Sequence, residues 1–232
     1  SLQALSQSAI PEYGTIVPEE IKIKECAFDK DADAVVLLDK GISTYNEEKH
    51  LITRRRIKFK ILKESGIPRG DLRILYYSAD DFEGINELEA YVLNTDATGG
   101  IFKTLVDKKS IFRSKVNELY SEIKIALPEI KVGSIVEYRY TSDKRSFSGI
   151  RDWYFQSDMP TMISQYDLTI LPGFSFAYKI VKSRSLNIDV KNFKDDGRII
   201  FEMKNVAGLR DEPYMDASSD YLQRIVFQLA EY

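Results

Sequence analysis

Cysteine and histidine are almost missing from this sequence: its 232 residues include one of each, Cys26 and His50. A lone thiol excludes an internal disulfide and any cysteine-rich zinc site. Nucleophilic catalysis through a thiol or hydroxyl needs an imidazole base and an acid to orient it, so every such scheme rests on His50. Cys26 lies in KECAF ahead of the first long apolar run and His50 in the polar turn NEEKH, which reads as an incidental thiol and a surface imidazole. No G-x-S-x-G elbow is present, and no glycine loop ends in the Gly-Lys-Ser/Thr that holds a nucleotide phosphate. No apolar run approaches the roughly 18 residues of a membrane span. Charge of one sign is lacking too. Lys plus Arg is 33 and Asp plus Glu is 36, a net charge of −3, so the expectation is no nucleic-acid partner.

What the sequence has is alternation. Ile123, Ile125 and Leu127 fall on one side of an extended chain, with Glu122, Lys124 and Ala126 on the other. After the break at Pro128 to Gly133, SIVEYRYT repeats the pattern, which predicts a hairpin of the two runs. Further strands are predicted near 34–39 and 41–46, over 51–62 and over 74–77. Runs 87–93 and 101–106 flank a turn containing Gly99 and Gly100, and later runs start near Phe174, Leu186, Ile199 and Arg224. In RRRIKFKIL, Arg54, Arg56, Lys58 and Lys60 share one face, read as a cationic solvent face. Helical signals amount to a short turn opened by Pro18-Glu19-Glu20. These features predict an all-β fold, a large antiparallel β-sandwich with short helical turns only. Residues 1–17 read as an N-terminal tail and 18–232 as a single domain, because no linker-like tract or internal repeat divides them. A chain of this length buries roughly 70–75% of its unfolded surface and needs no metal staple.

Candidate sites are few. Asp29-x-Asp31-x-Asp33 has the spacing that opens a calcium loop, but Ala34 stands where that loop needs Gly and Lys40 where it needs a bidentate Glu, so it reads as a solvated acidic turn. Separated loop carboxylates such as Asp80, Asp81 and Glu83, or Asp211 and Glu212, have the residue types of a glycosidase acid/base pair, and read as soluble loop acids. No catalytic residue, metal ligand or cofactor-binding residue is assigned. In Trp153-Tyr154-Phe155 alternation sends Tyr154 away from its neighbours; Trp153 and Phe155 are expected in the core. Tyr154, Tyr214 and Tyr221 are the candidate binding surface, since exposed aromatics carry much of the energy of interfaces and sugar contacts.

Ala126-Leu127-Pro128, Lys131 to Tyr140, Trp153 to Gln156, Met159-Pro160, YDLTILPG, Glu212 to Met215 and Asp220-Tyr221 together resemble the N-terminal domain of unknown function of bacterial transglutaminase-like envelope proteins of the Bacteroides type. The resemblance covers the chain from about Ala34 to its end. It implies a β-sandwich leading into a downstream transglutaminase-like domain with a Cys-His-Asp triad, none of whose motifs maps onto this chain. It also implies a periplasmic or cell-surface location; the chain starts at Ser1 rather than Met, which leaves room for a leader removed earlier. The expected role is that of a non-catalytic accessory module whose partner is the downstream domain. The alternative is a module that binds an envelope glycan or peptide on its own.

Overall fold

The computed structural model describes residues 10–183, 185–210 and 222–231. Among the described residues one short α-helix, α1 (Pro18–Lys22), precedes fourteen strands: β1 (Ala34–Tyr45), β2 (Leu51–Ile61), β3 (Asp71–Tyr77), β4 (Glu83–Thr95), β5 (Ile101–Leu105), β6 (Ile111–Lys115), β7 (Tyr120–Ala126), β8 (Ile135–Lys144), β9 (Trp153–Tyr154), β10 (Thr161–Thr169), β11 (Ser175–Val181), β12 (Ile188–Phe193), β13 (Arg198–Val206) and β14 (Arg224–Glu231). An eight-stranded sheet in the order β12-β13-β10-β1-β2-β8-β4-β5 forms one layer. Two three-stranded sheets, β3-β7-β6 and β11-β14-β9, form the other. The expected all-β sandwich is therefore the observed fold, and its pairs are antiparallel apart from β1 with β10, which run parallel. The long stretch of chain between those two strands permits this, since only adjacent hairpin partners are forced to run opposite ways.

The inner face of the large sheet carries its apolar set. Val36, Phe59, Ile61, Val92 and Val136 form its centre. Ile74, Ile123 and Ile125 of the first small sheet close over Ile85 and Ala90 of β4. Tyr166, Leu168, Phe201 and Met203 receive Trp153, Phe155 and Ile225 from the other side. Gly41 is required in β1 because the Trp153 ring lies flat on it: a Cβ there would stand 2.5 Å from the ring edge. Trp153 also stacks on Tyr166 at 4.9 Å, donates its indole N–H to Ser164 Oγ at 3.1 Å and lies under the Arg55 guanidinium at 5.0 Å. Arg55 is held by both carboxylate oxygens of Asp39.

Three local expectations are corrected. The runs at 34–39 and 41–46 are one strand, β1, because Gly41 serves ring packing and not a turn. β7 and β8 do not form a hairpin: β7 pairs with β3 and β6, while β8 lies between β2 and β4. Between them, residues 127–134 cross from one layer to the other. Leu127 and Ile130 pack into the core, and Glu129 and Gly133 take positive φ values of 50° and 89° to make the bends. Finally, the face of β2 bearing Arg54, Arg56, Lys58 and Lys60 is not a solvent face along its length. Lys58 and Lys60 are buried, at 1% and 3% exposure, beneath residues 10–28.

That covering segment explains how the charges are tolerated. Isolated buried charges cost several kcal/mol, so each needs partners. Lys58 pairs with Glu20 of α1, and Lys60 donates to the carbonyls of Glu20 and Ile21 at 2.9 and 2.5 Å. Arg56 binds the fully buried Glu137 and the carbonyls of Pro11 and Glu12. Glu137 also accepts the Gly14 N–H at 3.2 Å. Around this polar set, Tyr13, Ile21, Ile23, Cys26 and Phe28 pack onto Val35, Leu37, Tyr91 and Ile135.

Candidate functional site

Beyond the covering segment the outer face of the large sheet is open, and there a groove of about 520 Å³ is lined by Tyr13, Lys40, Ile42, Arg54, Arg56, Glu87, Glu89, Arg139 and Thr141. Strand pairing places these side chains together. Lys40 opposes Arg56 and Ile42 opposes Arg54 across β1 and β2; Arg54 opposes Thr141 and Arg56 opposes Arg139 across β2 and β8; Arg139 opposes Glu89 across β8 and β4. Opposed residues share a face of the sheet.

Glu87 sits in a bulge of β4. The register of β4 against β8 shifts between Asn86 and Glu89, and Glu87 sits there at φ 49°. In a regular strand Glu87 and Glu89 would share a face opposite that of Asn86. The extra residue instead puts Asn86 on the outer face with Glu89 and turns Ile85 into the core; Leu88 packs inward, and the Glu87 carboxylate accepts the Thr141 hydroxyl at 2.6 Å. A non-glycine residue in the left-handed region is backbone strain of order 1 kcal/mol, and such strain concentrates where a side chain must be aimed.

The groove has two electrical poles. Glu89 takes the Arg139 guanidinium in a paired contact at 2.8 and 3.1 Å, and Arg139 lies 4.3 Å over the Tyr13 ring. Arg56 is saturated by Glu137 and backbone carbonyls. Lys40 and Arg54 are different: among the described residues neither has a hydrogen bond or ion pair. Burial holds the Lys40 amine below its ordinary pKa; Asp167 opposes that shift, and Arg56 and Arg198 add to it. Asp167 itself is engaged by Arg198 at 2.6 and 2.8 Å. The groove thus offers two uncommitted cations on β1 and β2, and two carboxylates with spare lone pairs on β4.

A second, smaller cavity of about 120 Å³ lies between the layers, lined by Arg55, Glu83, Tyr140, Ser142, Lys144, Arg151 and Trp153 among others. Its polar groups are committed to each other. Glu83 binds Arg151, the Ser142 hydroxyl at 2.8 Å and the Tyr77 N–H at 3.1 Å; Lys144 donates to the Gly149 carbonyl at 2.6 Å. It is a seam between the two layers of the sandwich.

The residues singled out by sequence are dispersed. Tyr154 is exposed at 38% on β9, with the Arg224 guanidinium 6.0 Å from its ring, while Trp153 and Phe155 are buried as expected. It lines neither cavity. Tyr214, Tyr221, Asp211 and Glu212 lie outside the described residues. Asp29 and Asp31 form an arginine clamp: Arg210 spans them at 2.6 and 3.2 Å, while Arg69 approaches Asp33 at 3.5 Å. Among the described residues no group of three or more His, Cys, Asp or Glu side chains converges as a metal site would need. Glu83 is a structural ion-pair partner, not a free acid. Cys26 is buried at 3%, and burial pushes its thiol pKa up, which disfavours the reactive thiolate. His50 hydrogen-bonds Asp143 at 3.0 Å. It precedes β2, whereas Cys26 packs by Leu62 at the far end of that strand, about 35 Å away at the rise of an extended chain.

The chain is thus a two-layer β-sandwich with a bipolar groove on one sheet face. Residues 49–210 match the family described as a domain of unknown function with a solved structure, DUF3857, and the chain belongs to that family. No curated protein matches the sequence. Among solved structures the chain is similar to one described as a putative protease from Parabacteroides distasonis, at 11% identity and a TM-score of 0.68, covering 85% of this chain and 40% of that one. An M1 zinc metallopeptidase from Deinococcus radiodurans aligns at 11% identity with a TM-score of 0.38, over 84% of this chain and 42% of that one. The chain therefore spans less than half the length of either.

Proposed function

We propose that this chain is a non-catalytic accessory and interaction module of a longer, exported transglutaminase-like protein, and that its first partner is the downstream domain of the same polypeptide. The coverage of the Parabacteroides structure carries this reading: a fold that accounts for 85% of this chain accounts for 40% of that protein. The chemistry of the chain agrees with it. Its thiol is buried with a raised pKa, its imidazole is tied to a surface carboxylate at the other end of the same strand, and its buried acids are committed to arginines. The sequence resemblance supplies the finer elements, namely the transglutaminase-like partner and the periplasmic or cell-surface setting.

The test uses the longer protein. Its amide-hydrolysing or transamidating activity should survive Cys26→Ala and His50→Gln, and the 232-residue chain alone should have none. Activity in the isolated chain, or its loss from the longer protein on Cys26→Ala with the fold intact, overturns the reading.

A further inference from the structure

We infer that the outer-face groove binds a short zwitterionic peptide, its terminal carboxylate between Lys40 and Arg54 and its terminal ammonium at Glu87 and Glu89. This deepens the interaction role above, yet it stands or falls separately from the question of catalysis.

The inference rests on commitment and spacing. Each charged side chain around the groove has a partner except Lys40 and Arg54, which lie diagonally across the β1–β2 pair, Lys40 opposite Arg56 and Arg54 opposite Ile42. Two adjacent cations left unsatisfied on a concave surface form a seat for an anion, and the arginine fork suits the two oxygens of a carboxylate. Across the groove, Glu87 and Glu89 alternate onto the same face of β4 and present two carboxylates within reach of one ligand, Glu87 from a bulge that holds it at positive φ.

Strand geometry sets the ligand length. Arg54 on β2 and Glu87 on β4 are two strand steps apart, and Lys40 on β1 and Glu89 are three. At about 4.8 Å per step the poles are separated by roughly 10 to 14 Å. An extended peptide spans about 3.3–3.6 Å per residue, so three to four residues join them. Between the poles, Ile42, the Tyr13 ring and the stem of Arg139 provide apolar contact for side chains or Cβ atoms. A polyanion fits poorly, because Glu87 and Glu89 repel it. A neutral sugar leaves both cations unused.

The test is calorimetric titration of the chain at low ionic strength with trialanine, N-acetyl-trialanine and trialanine amide. Trialanine should bind, and capping either end should weaken it by about tenfold or more, as loss of a charge-assisted hydrogen bond does. Lys40→Ala with Arg54→Ala should abolish the preference for trialanine over its amide. Glu87→Gln should abolish the preference over the acetylated peptide; Glu87→Gly, which keeps the positive φ without strain, is the second variant if the first perturbs melting. The proposal is overturned by no binding at about 10 mM trialanine, by equal binding of the capped peptides, or by glucuronic acid or inorganic phosphate binding more tightly than trialanine. Cleavage of the bound peptide would refute the non-catalytic reading and leave the groove assignment standing.

Discussion

Gly41→Ala tests the packing on which the second layer depends. A Cβ at this position would meet Trp153 Cζ3 at 2.5 Å, Trp153 Cη2 at 2.8 Å and Tyr166 Cδ2 at 3.1 Å. Neither ring is a flexible chain end: Trp153 is pinned between Gly41, Tyr166 and Arg55, and its N–H is committed to Ser164. The rings must shift by several tenths of an ångström. Overpacking of this kind costs about 1–3 kcal/mol. Strain on the indole hydrogen bond and on the stacked guanidinium adds roughly 1 kcal/mol more. The expected destabilisation is therefore about 2–4 kcal/mol, which in a domain of this size lowers the melting temperature by roughly 5–15 °C. Urea unfolding followed by tryptophan fluorescence measures it, and since Trp153 is the sole tryptophan, the native emission should move to the red in the same variant. Trp153→Phe should relieve part of the cost, giving a favourable coupling in a double-mutant cycle. A loss under about 0.5 kcal/mol with unchanged emission would refute the reasoning.

The covering segment yields two further predictions, and the thiol a third. Lys60 has its pKa lowered to about 8 by burial, with Glu20 opposing the shift. The unfolded chain then binds more protons than the folded one between about pH 8 and 10.5, so folding gains stability as pH rises through this window and loses it as pH falls through 8. At about 1.4 kcal/mol per unit the full effect is at most roughly 3 kcal/mol. Between pH 8 and about 9.5, below the range where the raised tyrosines Tyr13, Tyr138 and Tyr166 act with opposite sign, Lys60→Met should show a shallower rise than the parent; parallel curves contradict this. Glu137→Gln leaves Arg56 and Lys58 without their central counter-charge and should cost about 3 kcal/mol in urea unfolding, with faster hydrogen exchange at Gly14; a change within about 0.5 kcal/mol refutes the role. Cys26 should react with a disulfide reagent only as fast as the chain opens, and immediate reaction of the native protein at neutral pH contradicts its burial.

Period-2 alternation made the strands legible, including the division of Trp153 and Phe155 inward from Tyr154 outward. It could not reveal pairing. Whether β7 meets β8 or β3 depends on where Leu127 and Ile130 bury themselves, a contact between layers and not between neighbours in sequence. Lys58 and Lys60 read as solvent-facing because their cover comes from forty residues earlier, where the Thr15 carbonyl receives Lys58 and the Glu20 and Ile21 carbonyls of α1 receive Lys60. The groove was hidden for a related reason. Of its two uncommitted cations Arg54 stands in the visible run at 54–60 and Lys40 lies on β1, and a one-residue bulge between Asn86 and Glu89 reverses the phase of β4 so that Ile85 and Ala90 both face the core. Nothing in NELEA announces that reversal. A charged face alternating with apolar residues on β2 was the available signal, and it held both the buried and the exposed cations.

The central claim is that this module recognises without chemistry. Incubating the chain overnight with trialanine at a concentration that saturates the calorimetric signal, then weighing the peptide by mass spectrometry, tests it most directly. The account predicts peptide that binds and is recovered intact, in amounts equal to a control with Lys40→Ala and Arg54→Ala. Shortened or covalently transferred peptide, produced by the parent chain and absent with Cys26→Ala, would contradict it.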